Sequence, residues 1–205
     1  MSLANKAKYL FYLGILPYFI LYFSIQSLIT VHKFNFLTDI DTAIPFVPEF
    51  IWIYHTLFPA IILVCIFVIE KKDLYWTALL SYVSAIGILA TFYVVFPSFY
   101  PRHELIVGNW SEWLVYLTWE IDGAHNTFPS SHVTFSWLLF YFFSDSSMAA
   151  KKSWTVVALF CWAFLVTLST LFLKQHYILD VLSGIILATC CYKVSNHLPV
   201  QRYAT

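Results

Sequence analysis

The sequence predicts an all-α integral membrane protein, a six-helix bundle forming a single domain over residues 1–205. Two observations lead there. Of the 205 residues, 60% are hydrophobic and only 11% charged, whereas soluble domains carry about 25% charged residues. Water cannot solvate that much apolar surface, so the bilayer must. The apolar residues also gather into six runs, most of them near the ~20 residues a helix needs to cross the hydrocarbon core.

Lys6 and Lys8 precede the first run, Tyr9–Val31. It is longer than the apolar part of a signal peptide, and no small-residue cleavage site follows it, so it reads as an uncleaved first span. The second and third spans are Phe50–Ile69 and Leu74–Phe96. A long loop, Pro97 to Pro129, comes next, and loops of that length usually have a task. Within it, Ser111–Ile121 suits a short interfacial helix. The fourth span, Ser130–Met148, is continuously apolar only over Val133–Phe143. It needs serines at both ends, so its mouth is expected below the membrane surface, screened by its neighbours. Trp154–Leu173 and His176–Asn196 are the fifth and sixth spans.

Orientation follows from the basic residues. With both termini cytoplasmic, the inner segments hold Lys6, Lys8, Lys71, Lys72, Lys151, Lys152, Lys193 and Arg202, and the outer segments only Lys33, Arg102 and Lys174. Trp52, Trp76, Trp110, Trp113, Trp119 and Trp154 lie near span ends or in loops, where an indole anchors at the interface. A net charge of zero gives no support for a nucleic-acid partner. Cys65, Cys161, Cys190 and Cys191 all lie in apolar runs, which argues against a disulfide framework. Cys190 and Cys191 read as buried packing rather than lipidation sites.

This topology brings three polar clusters to the outer side. The first is Pro101-Arg102-His103. The second is Asn126-Thr127-Phe128-Pro129-Ser130-Ser131-His132, at the mouth of span four. Pro129 fits the first helical position, where its missing N–H costs nothing. The N–H groups of Ser130, Ser131 and His132 would then be unpaired donors that attract an anion, phosphate above all. A plain helix cap would explain Pro-Ser-Ser alone; His132 adds a group that exchanges protons near neutral pH. The third cluster is Lys174-Gln175-His176-Tyr177-Ile178-Leu179-Asp180. His176 and Asp180, four apart, share a helix face. A carboxylate there can hold one imidazole nitrogen as N–H and leave the other as a lone pair, as a histidine nucleophile or base requires. Ionisable groups inside a span are costly and mark function, with polar glue between helices as the plainer reading. Arg102 and Lys174 would supply fixed positive charge. His32, His55, His103 and His197 lack partners at clear spacing, and His125 is a lesser candidate. The chain has no His-x-x-x-His pair, and an anion-binding cap argues for phosphate rather than zinc at His132, His176 and Asp180.

These clusters resemble the motifs of the type 2 phosphatidic acid phosphatase superfamily, which carries Lys-x6-Arg-Pro, Pro-Ser-Gly-His and Ser-Arg-x5-His-x3-Asp. Pro129-Ser130-Ser131-His132 matches the second motif, with Ser131 in place of Gly. Ser169 and His176-x3-Asp180 match the third, with Thr170 where the family has Arg. The first motif is reduced to Arg102, and Val95 stands where its Lys would be. The pattern looks most like the inositol phosphorylceramide synthase branch. The resemblance implies a membrane enzyme acting on a lipid phosphate ester or pyrophosphate at the outer face through a phosphohistidine. His176 would be the nucleophile and Asp180 its orienting group. His132 would protonate the leaving alcohol and then activate the acceptor. Arg102, Ser130, Ser131 and Lys174 would hold the phosphate oxygens, with no metal or other cofactor. Water as acceptor makes a phosphatase, the favoured reading; a lipid or inositol hydroxyl makes a phosphotransferase. A non-catalytic protein that binds or transports an anionic lipid is the third reading, and an inactive relative the fourth.

Overall fold

A computed structural model of the chain describes residues 18–29, 31, 33–67 and 72–198, with only the backbone at 64–67, 72, 73, 147 and 148. The described residues are helical, with two isolated bridges, Phe34 with Ser98 and Phe99 with His125, and no strand. The helices are α1 (Tyr18–Leu28), α2 (Asp39–Ala43), α3 (Ile51–Tyr54), α4 (Leu57–Phe67), α5 (Lys72–Val95), α6 (Trp110–Asp122), α7 (Ser131–Ser144), α8 (Ser147–Lys151), α9 (Ser153–Phe172) and α10 (Ile178–His197).

Three of them, Leu74–Val95 within α5, α9 and α10, are long and apolar enough to cross a membrane. The expected third, fifth and sixth spans match these to within about two residues. The expected first span lies outside the described residues up to residue 17. The second expected span is broken. Its α3 and α4 are separated by His55 and Thr56, because Pro59 in the first turn of α4 cannot donate to the His55 carbonyl and its ring crowds that oxygen. The fourth is shorter than expected: α7 stops at Ser144, and Ser146 turns its hydroxyl to the Ala149 N–H to begin α8.

Helix α7 is central, packed against α4, α5, α9 and α10. Its buried side chains, among them Phe135, Leu138, Leu139 and Phe142, meet Ala78, Tyr82, Ala85 and Leu89 of α5 and Ala188 and Cys191 of α10 in the main core. Outward-facing Ile62, Val83, Val94, Val157, Ile186 and Val194 are exposed and apolar on α4, α5, α9 and α10, the surface that suits lipid rather than water. Cys161 and Cys190 lie on this exposed surface, and Cys191 is buried. The expectation of a buried Cys190 therefore fails: helix periodicity turns adjacent residues about 100° apart, so one of the pair faces out.

The loop between α5 and α7 carries α6, which begins one residue before the predicted Ser111. Asn109 is its cap, in a reciprocal pair with Glu112. The helix does not lie free. Val115 and Trp119 pack on Ile51, Tyr54 and Leu173 in a second core, while Trp110, Trp113 and Tyr116 stay exposed.

Candidate active site

The three polar clusters meet at the end of the bundle that carries this loop. The segment after α5 is fixed by Ser98. Its fully buried hydroxyl oxygen accepts from the Phe128 N–H and the Thr127 hydroxyl, both at 2.9 Å. The Tyr100 N–H donates to the Ala124 carbonyl. Arg102 is thereby led into the turn between α9 and α10. Its guanidinium donates to the carbonyls of Lys174 (2.6 Å) and Gly123 (2.5 Å) and to Gln175 Oε1 (2.6 Å), and lies 5.0 Å from the Trp119 ring. Gly123 reaches this position with φ of +64°, a region only glycine enters freely. Burial lowers the Arg102 pKa, and Asp122 counteracts it. Three of the five N–H groups of a guanidinium are thus engaged; the buried Nε has no hydrogen-bond partner among the described residues.

His176 Nδ1 lies 2.8 Å from the Thr127 carbonyl. A carbonyl only accepts, so Nδ1 carries the hydrogen and the neutral ring presents its lone pair at Nε2. Asp180 Oδ2 is farther from the same nitrogen, at 3.5 Å, and accepts from the Tyr177 N–H at 2.9 Å. Asp180, expected as the orienting group of His176, is thus joined there by a nearer acceptor. A backbone carbonyl holds the ring, and the carboxylate adds charge from a second position while capping α10. Asn126 and Lys174, ahead of Thr127 and His176, both adopt left-handed backbone (φ 57° and 54°) without being glycine. That geometry costs roughly 1 kcal/mol or more each.

The second cluster also differs from expectation. Pro129 lies outside the helix, after a cis peptide bond with Phe128, and Ser130 is the cap of α7. The Ser130 N–H is not unpaired: it donates to the Asp180 carbonyl at 3.1 Å, and Ser130 Oγ accepts from the Val133 N–H at 3.4 Å. Glycine at 184 permits this approach of α7 to α10. A Cβ there would lie 2.8 Å from the Ser130 carbonyl oxygen and 3.2 Å from Val133 Cβ.

His132, in the first turn of α7, stacks on Tyr54 with ring centroids 4.0 Å apart, and its Nδ1 is 3.2 Å from the Tyr54 hydroxyl. Its buried Nε2 has no hydrogen-bond partner among the described residues. The ring borders a cavity of about 260 Å³ walled by Tyr18, Phe58, Ile61 and Phe135, with Ser131 and Asp122 among its few polar residues. Burial pushes the Asp122 carboxyl above the usual range, against the pull of the Tyr22 hydroxyl and Arg102. Lys174 extends the other way: Nζ donates to the carbonyls of Asp41 (3.0 Å) and Ile44 (2.5 Å). Its pKa is lowered by burial, which Asp41 opposes. His55, expected to lack a partner, bonds Thr118 Oγ1 at 2.9 Å. His103 packs edge-on against Phe46 and Trp119, and His32 lies outside the described residues.

Four participants were given no role by the sequence reading: Thr127, Tyr54, Asp122 and Asp41. Thr127 acts through its backbone, which no side-chain pattern reveals. Tyr54 is one of 14 tyrosines. Asp122 did carry a signal, since a carboxylate in the last turn of a helix opposes the dipole and needs a reason to be there.

No curated protein and no solved structure matches the chain. The family model of the PAP2 superfamily matches residues 70–204, a stretch that contains Arg102, His132, His176 and Asp180. The motifs and their spacing thus agree with a match over about two thirds of the sequence, and the chain belongs to the PAP2 superfamily, whose members are typically phosphatases or phosphotransferases.

Proposed function

We propose that the protein is a membrane phosphatase that hydrolyses a lipid phosphate ester or pyrophosphate on the non-cytoplasmic side of a six-span bundle, through a phosphohistidine at His176. The observation that carries this reading is the His176 ring, fixed at Nδ1 by the Thr127 carbonyl so that Nε2 presents its lone pair. Nε2 attacks phosphorus, the phosphorus–oxygen bond to the leaving group breaks, and His132 Nε2 delivers a proton to that oxygen. In the second step His132 takes a proton from water, the water oxygen attacks phosphorus, and the nitrogen–phosphorus bond breaks. Arg102 contributes its remaining N–H groups, and the Ser130 hydroxyl keeps its hydrogen because its oxygen serves as the cap. Ser131 adds a hydroxyl at the cavity wall. Lys174 adds charge through the one ammonium hydrogen that Asp41 and Ile44 leave over. None of these residues needs a metal to act.

A second reading rests on the apolar cavity beside His132. Its walls would seat a lipid alcohol as readily as a leaving group, and that alcohol could replace water as acceptor. The test is phosphate release from a panel of lipid phosphates and pyrophosphates by purified protein in detergent with EDTA, run with and without added lipid alcohols or inositol. Release by wild type, abolished in a folded His176→Ala variant, is expected. Transfer without release would move the assignment to phosphotransferase. A His176→Ala variant that turns over at the wild-type rate would remove the nucleophile.

A further inference from the structure

The way His176 is held carries an inference that rests on its proposed role as nucleophile and goes beyond it. The bond from its Nδ1–H joins two segments far apart in the chain. Thr127 supplies the carbonyl, and the turn between α9 and α10 supplies the ring. Each segment passes through a left-handed non-glycine residue ahead of the bond, Asn126 on one side and Lys174 on the other. Such backbone persists only where its surroundings over-determine it. Within the turn, the N–H groups of Gln175 (3.0 Å) and His176 (3.2 Å) both donate to the Thr170 carbonyl. That pattern fixes the turn to α9, not to the Thr127 segment. One guanidinium spans the two. Arg102 Nη1 donates to the carbonyl of Lys174, two residues before His176, and Nη2 to the carbonyl of Gly123, four residues before Thr127. Nη2 also donates to Oε1 of Gln175, which is 3% exposed.

We propose that Arg102 is a positioning residue of His176, a tie between the two segments whose meeting sets the ring. This role is separate from its charge, and the N–H groups left over stay available to phosphate. The planar fork keeps its two terminal nitrogens at a fixed separation, and each meets a carbonyl of a different segment. Trp119, a member of the second core, lies against the fork with its ring centroid 5.0 Å from the guanidinium carbon. With the tie in place, the Thr127 carbonyl stays 2.8 Å from Nδ1 and Nε2 keeps its lone pair. Without it the segments part, and Asp180 Oδ2, now at 3.5 Å, becomes the nearer acceptor. Lysine keeps the charge but is a point donor without the fork, so it cannot replace the tie.

The test is ¹⁵N–¹H NMR of the full-length protein in micelles without substrate, at a pH where His176 is neutral. It reads the His176 Nδ1–H signal, assigned by its loss in His176→Gln. Wild type is expected to show this hydrogen protected from exchange with water. In Arg102→Lys and Arg102→Ala alike, the signal moves and exchanges about tenfold faster or more, as local opening of a protected site does. The Trp137 Nε1–H, bonded to Thr167 Oγ1 at 3.1 Å, serves as the internal reference and exchanges as in wild type, so the change is local. A role in phosphate binding alone leaves the ring signal untouched in the absence of substrate. An unchanged shift and exchange rate in Arg102→Lys therefore overturns the proposal. Where neither Arg102 variant folds, Gln175→Leu, which removes one of the three acceptors, decides in the same way. Turnover is measured on the same samples. If the ring responds as expected in a protein that neither releases nor transfers phosphate, the proposed reaction fails while the tie stands. If wild type turns over and the ring does not respond, the tie fails and the reaction stands.

Discussion

His176 shows how a functional side chain is held by parts of different rank. Its Nδ1 is 2.8 Å from a backbone carbonyl and 3.5 Å from the Asp180 carboxylate. Where a carboxylate alone sets the tautomer, its amide variant loses about 10⁴ in rate. Here the Thr127 carbonyl survives any change at Asp180. Asp180→Asn should therefore reduce kcat by only about 10- to 100-fold, through lost charge. Its side-chain oxygen can still accept from the Tyr177 N–H, so the thermal midpoint should barely move. Measuring both on one preparation separates the two roles; a loss near 10⁴ would mean that Asp180, not Thr127, governs the ring. The side chains of the two motifs were legible in the sequence because they recur at fixed spacing. Thr127 was not, because a carbonyl has no sequence identity. The unpaired N–H predicted for Ser130 failed for the same reason: its acceptor, the Asp180 carbonyl, lies 50 residues away in the chain.

At the scale of elements, the site is the crossing of two helix starts, α7 and α10. Periodicity and hydropathy place α5, α9 and α10 closely, since each is one long, mostly apolar run with no proline inside it. They fail where polar side chains cap internally, as Ser146 does after α7, or where a proline lies inside an apolar run, as Pro59 does. Neither device changes mean hydropathy, although Pro59 could have been read as a helix start. The crossing depends on Gly184. An alanine methyl would sit 2.8 Å from the Ser130 carbonyl, a backbone atom that cannot swing aside. Overpacking of this kind costs about 1–3 kcal/mol. The displacement would also move Ser130, Ser131 and His132 away from His176, and misplacement on the order of 1 Å costs about 10²-fold in rate. Gly184→Ala is thus expected to lose activity well beyond its loss of stability. Gly87 is the matched control. It lies inside α5, and a methyl group there would meet nothing within 4 Å, so Gly87→Ala should leave the rate unchanged and stabilise by about 0.5–1 kcal/mol. Equal rates for the two variants would show that the crossing has slack.

For the molecule as a whole, the family match begins at residue 70, yet residues ahead of it close the site. Tyr22 and Tyr54 reach the cavity from one side. From the other, the loop between α1 and α3 is tied to the start of α10 by Asp41, which is 3% exposed. Its Oδ1 accepts from the Ile178 N–H at 2.8 Å, its Oδ2 from the Thr38 N–H at 2.9 Å, and its carbonyl from Lys174 Nζ. One carboxylate thus satisfies an end-of-helix donor in α10, caps α2 reciprocally with Thr38, and anchors the loop over the residues that precede His176. Asp41→Ala would leave the Ile178 and Thr38 donors without partners, at a cost of about 1–3 kcal/mol for a buried group, while the backbone carbonyl that Lys174 uses stays in the chain. Asp39, two residues earlier and exposed, offers no such ties from its side chain, so Asp39→Ala should stay within about 0.5 kcal/mol of wild type. Thermal midpoints of the two variants, measured with kcat/KM on the same samples, decide whether the loop is structural. A lowered midpoint and reduced kcat/KM only in Asp41→Ala mean that the N-terminal third completes the site. Matching midpoints and rates would make it a passive cover over a site that the family region builds alone.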